Sequence, residues 1–292
     1  MSVDFFGRGG SASGPRGHNG PPGPPGPRGL IGNPGSIKDL CLWMPNMVLN
    51  TLREEDEQCC FLITDVRNDI KRDAKGHVTE WKSRTKDKST NAIADTPCED
   101  IVKIDDERYA LDFHNSFYFA DNVHFFPSLD KETRSVYTYI CLTFRTQSDE
   151  EQTIVTNYDP DNPTIPFREI SATSTEIHIW GASIDGTNLS SVPIHHLTRE
   201  WTTVFVEWFI SPHKNQGMYI INDNETTGFF TCQKNLEGAE EVGISIGGRS
   251  DQSRSLTGAI SALEIYTTVN TKEATLPEPL RQCIIRNQLI KS

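Results

Sequence analysis

Between residues 14 and 37 glycine occupies every third position: Gly14, Gly17, Gly20, Gly23, Gly26, Gly29, Gly32 and Gly35. The intervening triplets include Gly20-Pro21-Pro22, Gly23-Pro24-Pro25 and Gly26-Pro27-Arg28. Proline sets the backbone for a polyproline-II helix, and where three such chains wind about one axis only a hydrogen side chain fits at every third place. A disordered Gly/Pro linker has no reason to hold eight glycines in register. The segment therefore predicts a triple helix about 70 Å long, at about 3 Å per residue. A triple helix is trimeric by construction, so the expected molecule is a homotrimer.

Over these roughly 24 residues the chain resembles collagen-domain proteins. Pro22, Pro25 and Pro34 hold the third triplet position, where the resemblance implies that hydroxylation would add stability. Eight triplets are few, so neighbouring segments are expected to supply trimer contacts. Residues 1–13 read as a flexible N-terminal arm. Its Asp4-Phe5-Phe6-Gly7-Arg8 patch is either a disordered tail or an anchor in which Phe5 and Phe6 dock the foot of the trimer into another protein. Residues 38–77 read as a helical neck and linker. Pro45 suits a first helical turn, and residues 45–57 are helix-compatible. The stripe Met44, Met47, Val48 and Leu52 either packs on the head or forms a three-chain neck. Cys59-Cys60-Phe61-Leu62-Ile63 reads as a buried strand, and residues 65–75 as a charged turn.

Net charge is −12, with +2 on residues 1–37 and −3 on residues 38–80, leaving −11 on residues 81–292. An acidic head disfavours non-specific binding to nucleic acid or anionic membranes. No apolar run approaches the roughly 20 residues of a membrane span. The first residues lack the apolar stretch of a secretory signal, yet the remainder reads as an extracellular or virion-surface protein. Seven cysteines spread over 292 residues do not make a small disulfide scaffold. The candidates for pairing, within or between chains, are Cys41, Cys59, Cys60 and Cys283. Cys141, in Tyr-Ile-Cys-Leu-Thr-Phe, reads as a buried strand residue.

Residues 78–292 read as a single mainly-β head that ends in a helix. Short β-branched and aromatic runs, many alternating with period two, fall at 109–113, 117–119, 136–145, 153–157, 176–180, 203–209, 218–221, 244–246 and 259–266. The clearest is Thr203-Val204-Phe205-Val206-Glu207-Trp208-Phe209. The expected architecture is an antiparallel sandwich. In the tail, Leu280, Cys283 or Ile284, and Gln288 fall at helical spacing.

Several segments resemble laminin-G-like, concanavalin A-like jelly rolls. They are Trp201–Trp208, the strand–turn–strand from Tyr219 to Glu225, Ile244-Ser245-Ile246-Gly247-Gly248-Arg249, and Leu256–Tyr266. The resemblance covers about residues 100–268. It implies a head that binds proteins, glycans or lipid head groups through rim loops, often with calcium. Asp159, Asp161, Asp185 and Asp223 are the calcium candidates, although Asx-rich turns are common without metal. Asn188 and Asn224 head glycosylation triplets. His195-His196 has no third metal ligand at recognisable spacing. The Glu-x-Asp-x-x-Glu strand of glucanases with this fold is absent from the sequence, and no catalytic residue is assigned. The favoured expectation is a non-enzymatic trimeric binding or adhesion protein. The alternatives are a viral attachment fibre and, remotely, a glycan-cleaving enzyme.

Overall fold

The computed structural model describes residues 60–63, 66, 68–83, 90–105, 108–125, 135–165, 167–181, 191–196, 198–222, 226–231, 242–269, 281 and 285. The glycine-periodic segment and the arm with Phe5 and Phe6 lie outside these residues, as do positions 45–57 of the neck. Along the chain run β1 (Cys60–Ile63), β2 (Ile70–Arg72), β3 (Val78–Trp81), β4 (Ala92–Cys98), β5 (Ile101–Lys103) and β6 (Tyr109–His114). Then come β7 (Phe117–Ala120), β8 (Val136–Thr146), β9 (Gln152–Thr156), β10 (Glu169–Ala172), β11 (Glu176–Trp180) and β12 (Ser191–His195). The series ends with β13 (Thr202–Ile210), β14 (Asn215–Ile221), β15 (Thr226–Phe230), β16 (Ile244–Ile246) and β17 (Thr257–Val269).

The strands form two antiparallel sheets. One is eight-stranded, in the order β15-β14-β13-β8-β17-β6-β5, with β1 added along β17. The other is nine-stranded, in the order β12-β11-β10-β9-β16-β7-β4-β3-β2. Alternation along each strand decides what lies between them. Ile140, Leu142 and Phe144 of β8 and Val204, Val206 and Trp208 of β13 meet Ile170 of β10, Ile177 and Ile179 of β11 and Tyr118 of β7 in one buried core. This is the mainly-β sandwich that the laminin-G-like resemblance implies. Two strands, β1 and β2, precede residue 78, so the sheets begin inside the stretch read as neck and linker.

The eight-stranded sheet is covered on its outer face too. Tyr137, Tyr139 and Cys141 of β8, Phe205 and Phe209 of β13, and Tyr266 of β17 form a second buried cluster with Ile285. Arg281 and Ile285, four residues apart, both have helical backbone. Arg281 Nη2 donates to Glu207 Oε1 at 3.1 Å, and Tyr137 Oη donates to Glu207 Oε2 at 2.8 Å. A carboxylate in a strand this apolar is tolerable because both of its oxygens are satisfied. Covering both faces explains why β13 is buried at all nine positions. The described tail residues, Arg281 and Ile285, both reach the sheet. Leu280, Cys283, Ile284 and Gln288 lie outside the described residues.

Cys141 is buried, as its strand context indicates, and so is Cys98. Burial pushes the Cys98 thiol up to about 12, so it stays protonated and inert at neutral pH. Of the cysteines proposed for pairing, Cys60 lies in β1, where only its backbone is described. Cys41, Cys59 and Cys283 lie outside the described residues.

Candidate functional site

The second sheet differs from the first in carrying polar side chains on its outer face, and at the centre of the sheet these too are buried, as at Glu169, Ser171 and Ser245. In β11, Ile177 and Ile179 point to the core, so Glu176, His178 and Trp180 point outward. In β10, Ile170 and Ala172 are core, so Glu169 and Ser171 face out. In β7 the core takes Tyr118 and Ala120, which turns Phe119 outward. Cross-strand pairing brings these residues together: Glu169 opposes Trp180, Ser171 opposes His178, and Phe119 opposes Ser245 and Ile93.

Two arginines from the segment after β16 close over this face. Arg249 Nε and Nη2 donate to Glu169 Oε2 and Oε1 at 2.8 and 3.0 Å. Its guanidinium carbon lies 4.3 Å from the Tyr158 ring centroid. Arg254 Nη1 bridges Glu169 Oε1 at 3.2 Å and Glu151 Oε1 at 3.1 Å, and stacks 5.1 Å from Trp180. Ser171 Oγ and Trp180 Nε1 also donate to Glu151 Oε1, at 2.7 and 3.1 Å. His178 sits between Glu151 Oε1, 3.0 Å from Nδ1, and Glu176 Oε2, 3.2 Å from Nε2. His195 continues the chain, its Nδ1 2.8 Å from Glu176 Oε1. The Glu169 side chain is fully buried. Its charge is affordable because a planar guanidinium matches a carboxylate bidentately.

Beside Tyr158 the face opens into a groove of about 440 Å³. Phe119 and Tyr158 give it aromatic walls, Asp121 and Asp159 give it carboxylates, and Asn162 and Ser250 add polar edges. The volume falls in the range of about 300–1,000 Å³ usual for small-molecule sites. The wall at Gly243 is backbone against backbone. A Cβ there would lie 2.8 Å from the Asp121 Cα, so glycine permits the approach. His124 Nδ1, 3.1 Å from the Val242 carbonyl, braces the same contact.

The loop flagged for calcium is therefore at the groove. Asp161 N and Asn162 Nδ2 donate to Asp159 Oδ1 and Oδ2, at 3.0 and 2.8 Å. The Asp159 carboxylate thus caps its own turn, an Asx arrangement. Among the described residues no group of three or more His, Cys, Asp or Glu side chains could hold a metal ion. Asp185, Asp223, Asn188 and Asn224 lie outside the described residues. His195 and His196 diverge: the first meets Glu176, and His196 Nε2 meets Asn222 Nδ2 at 3.3 Å.

Sequence reading found the loop but not the rest of the face. Glu151, Glu169 and Arg254 went unremarked, and Arg249 entered only as the end of a strand motif, because their partnerships join distant parts of the chain, Arg254 to Glu151 and Glu169 among them. The one local signal was a carboxylate at an outward position of a strand, as at Glu169.

No family model matches the chain, and no curated protein sequence matches it. Similar solved structures include the CBM40 domain of the Ruminococcus gnavus IT-sialidase bound to α2,3-sialyllactose. It is 14% identical with a TM-score of 0.36, covering 48% of this chain and 79% of that one. Domain 4 of a GH43 extracellular arabinanase from Geobacillus stearothermophilus, in complex with arabinotriose, is 14% identical with a TM-score of 0.41, covering 65% and 82%. The LG4-5 domains of the mouse laminin α1 chain are 16% identical with a TM-score of 0.32, covering 49% and 37%. The sandwich assignment rests on the strand pairing itself.

Proposed function

We propose that this chain is a non-enzymatic, multivalent binding protein, in which a collagen-type stalk gathers three sandwich heads and each head presents the Tyr158 groove to a glycan. The observation that carries the reading is the groove: aromatic walls and hydrogen-bonding edges beside the polar outer face of the nine-stranded sheet. Sugars ask for that combination, an apolar ring face beside a few placed acceptors and donors. The unbroken glycine period supplies the second half. Three weak sites held on one shaft act together, and avidity rises without new contacts. The same plan fits an extracellular or particle-surface location. A viral attachment fibre is the second reading, supported by Phe5 and Phe6 on a Gly-rich arm ahead of the stalk.

The test is a glycan array probed with the full-length chain and with Tyr158→Ala, each checked for an unchanged melting profile. Binding by the wild type that falls at least about tenfold in the variant supports the assignment. An array on which the wild type binds no sugar overturns it. Retention of Phe5-Phe6 peptides by capsid proteins would favour the fibre.

A further inference from the structure

The walls of the groove carry charge of one sign. Asp121 and Asp159 line it, while among the described residues no lysine, arginine or histidine does. Asp121 follows β7, is exposed, and makes no side-chain hydrogen bond or ion pair with a described residue. Asp159 has one bond to each oxygen from its own turn. An ionised carboxylate offers about four acceptor sites, so both groups still accept from a ligand.

The neighbouring arginines do not reverse this sign. Arg249 is paired to Glu169, Arg254 bridges Glu169 and Glu151, and Glu176 lies beyond them across His178. The arginines and glutamates together are two cations against three carboxylates. Arg249, closest to the groove through Tyr158, is only 13% exposed in its side chain and already bidentate to a buried partner. An anionic ligand would therefore meet Asp121 and Asp159 with no uncommitted cation among the described lining residues. Vicinal hydroxyls of an uncharged ring meet the same two groups as donors facing acceptors. The rings of Phe119 and Tyr158, with Ile165, give such a molecule an apolar surface for its C–H face.

We infer that the groove selects uncharged sugars, with Asp121 and Asp159 accepting hydrogen bonds from ring hydroxyls, and turns away sialylated, uronate-bearing and sulfated glycans. The inference rests on the glycan reading above.

The experiment compares neutral oligosaccharides with sialylated and sulfated derivatives of the same cores, using the full-length chain, Asp121→Asn and Asp121→Lys. Asp121 is exposed and unpartnered, so both variants should keep the wild-type melting profile. For the wild type the acidic series should bind about tenfold or more weakly, because like charges in contact are strongly disfavoured. Asp121→Asn should narrow that gap and Asp121→Lys should invert it. For the wild type, raising salt to about 0.5 M should narrow it as well, since screening weakens exposed repulsion. Acidic glycans binding as tightly as neutral ones, or an unchanged preference in Asp121→Lys, would overturn the inference while leaving the glycan reading in place. No binding in either series would overturn both.

Discussion

Glu151 concentrates four partners on one carboxylate oxygen: Ser171, Trp180, Arg254 and His178. Burial alone would raise the affinity of this carboxyl for a proton. The Ser171 hydrogen bond and the charges of Arg254 and His178 outweigh burial, and the net result lies below the ordinary carboxylate value. A depressed carboxylate contributes stability above its unfolded value, near 4.5, and loses it as pH falls through the folded value. Glu151→Gln should therefore cost about 1.5–3 kcal/mol at pH 7, the range for hydrogen bonds to a charged group. Urea denaturation from pH 7 to pH 3 should show the two proteins converging as acid neutralises the wild-type carboxyl. A difference that stays constant with pH would contradict the role of charge. None of this was readable from residue types. Glu151 precedes β9 as one of several acids in a polar run, and its partners arrive from three other parts of the chain.

The covering of the eight-stranded sheet belongs to the scale of elements. Ile285 is fully buried against Tyr139, Phe205 and Tyr266, so Ile285→Ala should cost about 2–5 kcal/mol through lost burial and the cavity left behind. Arg281→Met should be milder than Arg281→Ala, because the thioether refills the space while both strip Glu207 of its cation. Denaturant midpoints and binding of a hydrophobic dye would read both effects. The long strands were legible: β8, β13 and β17 announce themselves by β-branched and aromatic alternation, and β11 falls on the residues where alternation placed it. The strands that escaped notice are short or broken by residues that argue against a sheet. Strands β2, β3, β5 and β10 have only three or four residues each. In β4, Pro97 falls just past the last pair with β7, Thr96 with Phe117, in a strand whose register slips on both sides. In β12, Pro193 is tolerated because the strand lies at the edge of its sheet. At the strand end read as Ile-Gly-Gly, Gly247 has φ +84, and a Cβ there would lie 2.2 Å from Phe113. Glycine at that turn is a steric requirement.

For the whole molecule, the proposed assembly depends on the glycine period of residues 14–37. Gly26→Ala places a methyl group on the axis of the triple helix, where only hydrogen fits. Light scattering should show a trimer for the wild type and smaller species for the variant. On a dense glycan surface the apparent affinity should fall by about 10²–10⁴, while binding to a soluble monovalent sugar stays the same. Equal masses for the two proteins would contradict a stalk-driven trimer. The glycine period was the most legible feature of the sequence because it is a strictly local rule. The groove was the least, since Phe119, Tyr158 and Val242 become neighbours only once β7, β16 and β9 pair in the nine-stranded sheet. The attachment of β1 has a mechanical side. The first described strand, β1, is held by a four-residue ladder, Cys60 to Tyr266 through Ile63 to Leu263, whereas β17 is fastened to β8 from Gly258 to Val269. In the proposed assembly a tug along the stalk would load this short ladder before the longer β17–β8 pairing, so β1 would detach and lengthen the tether while the core strands stay paired.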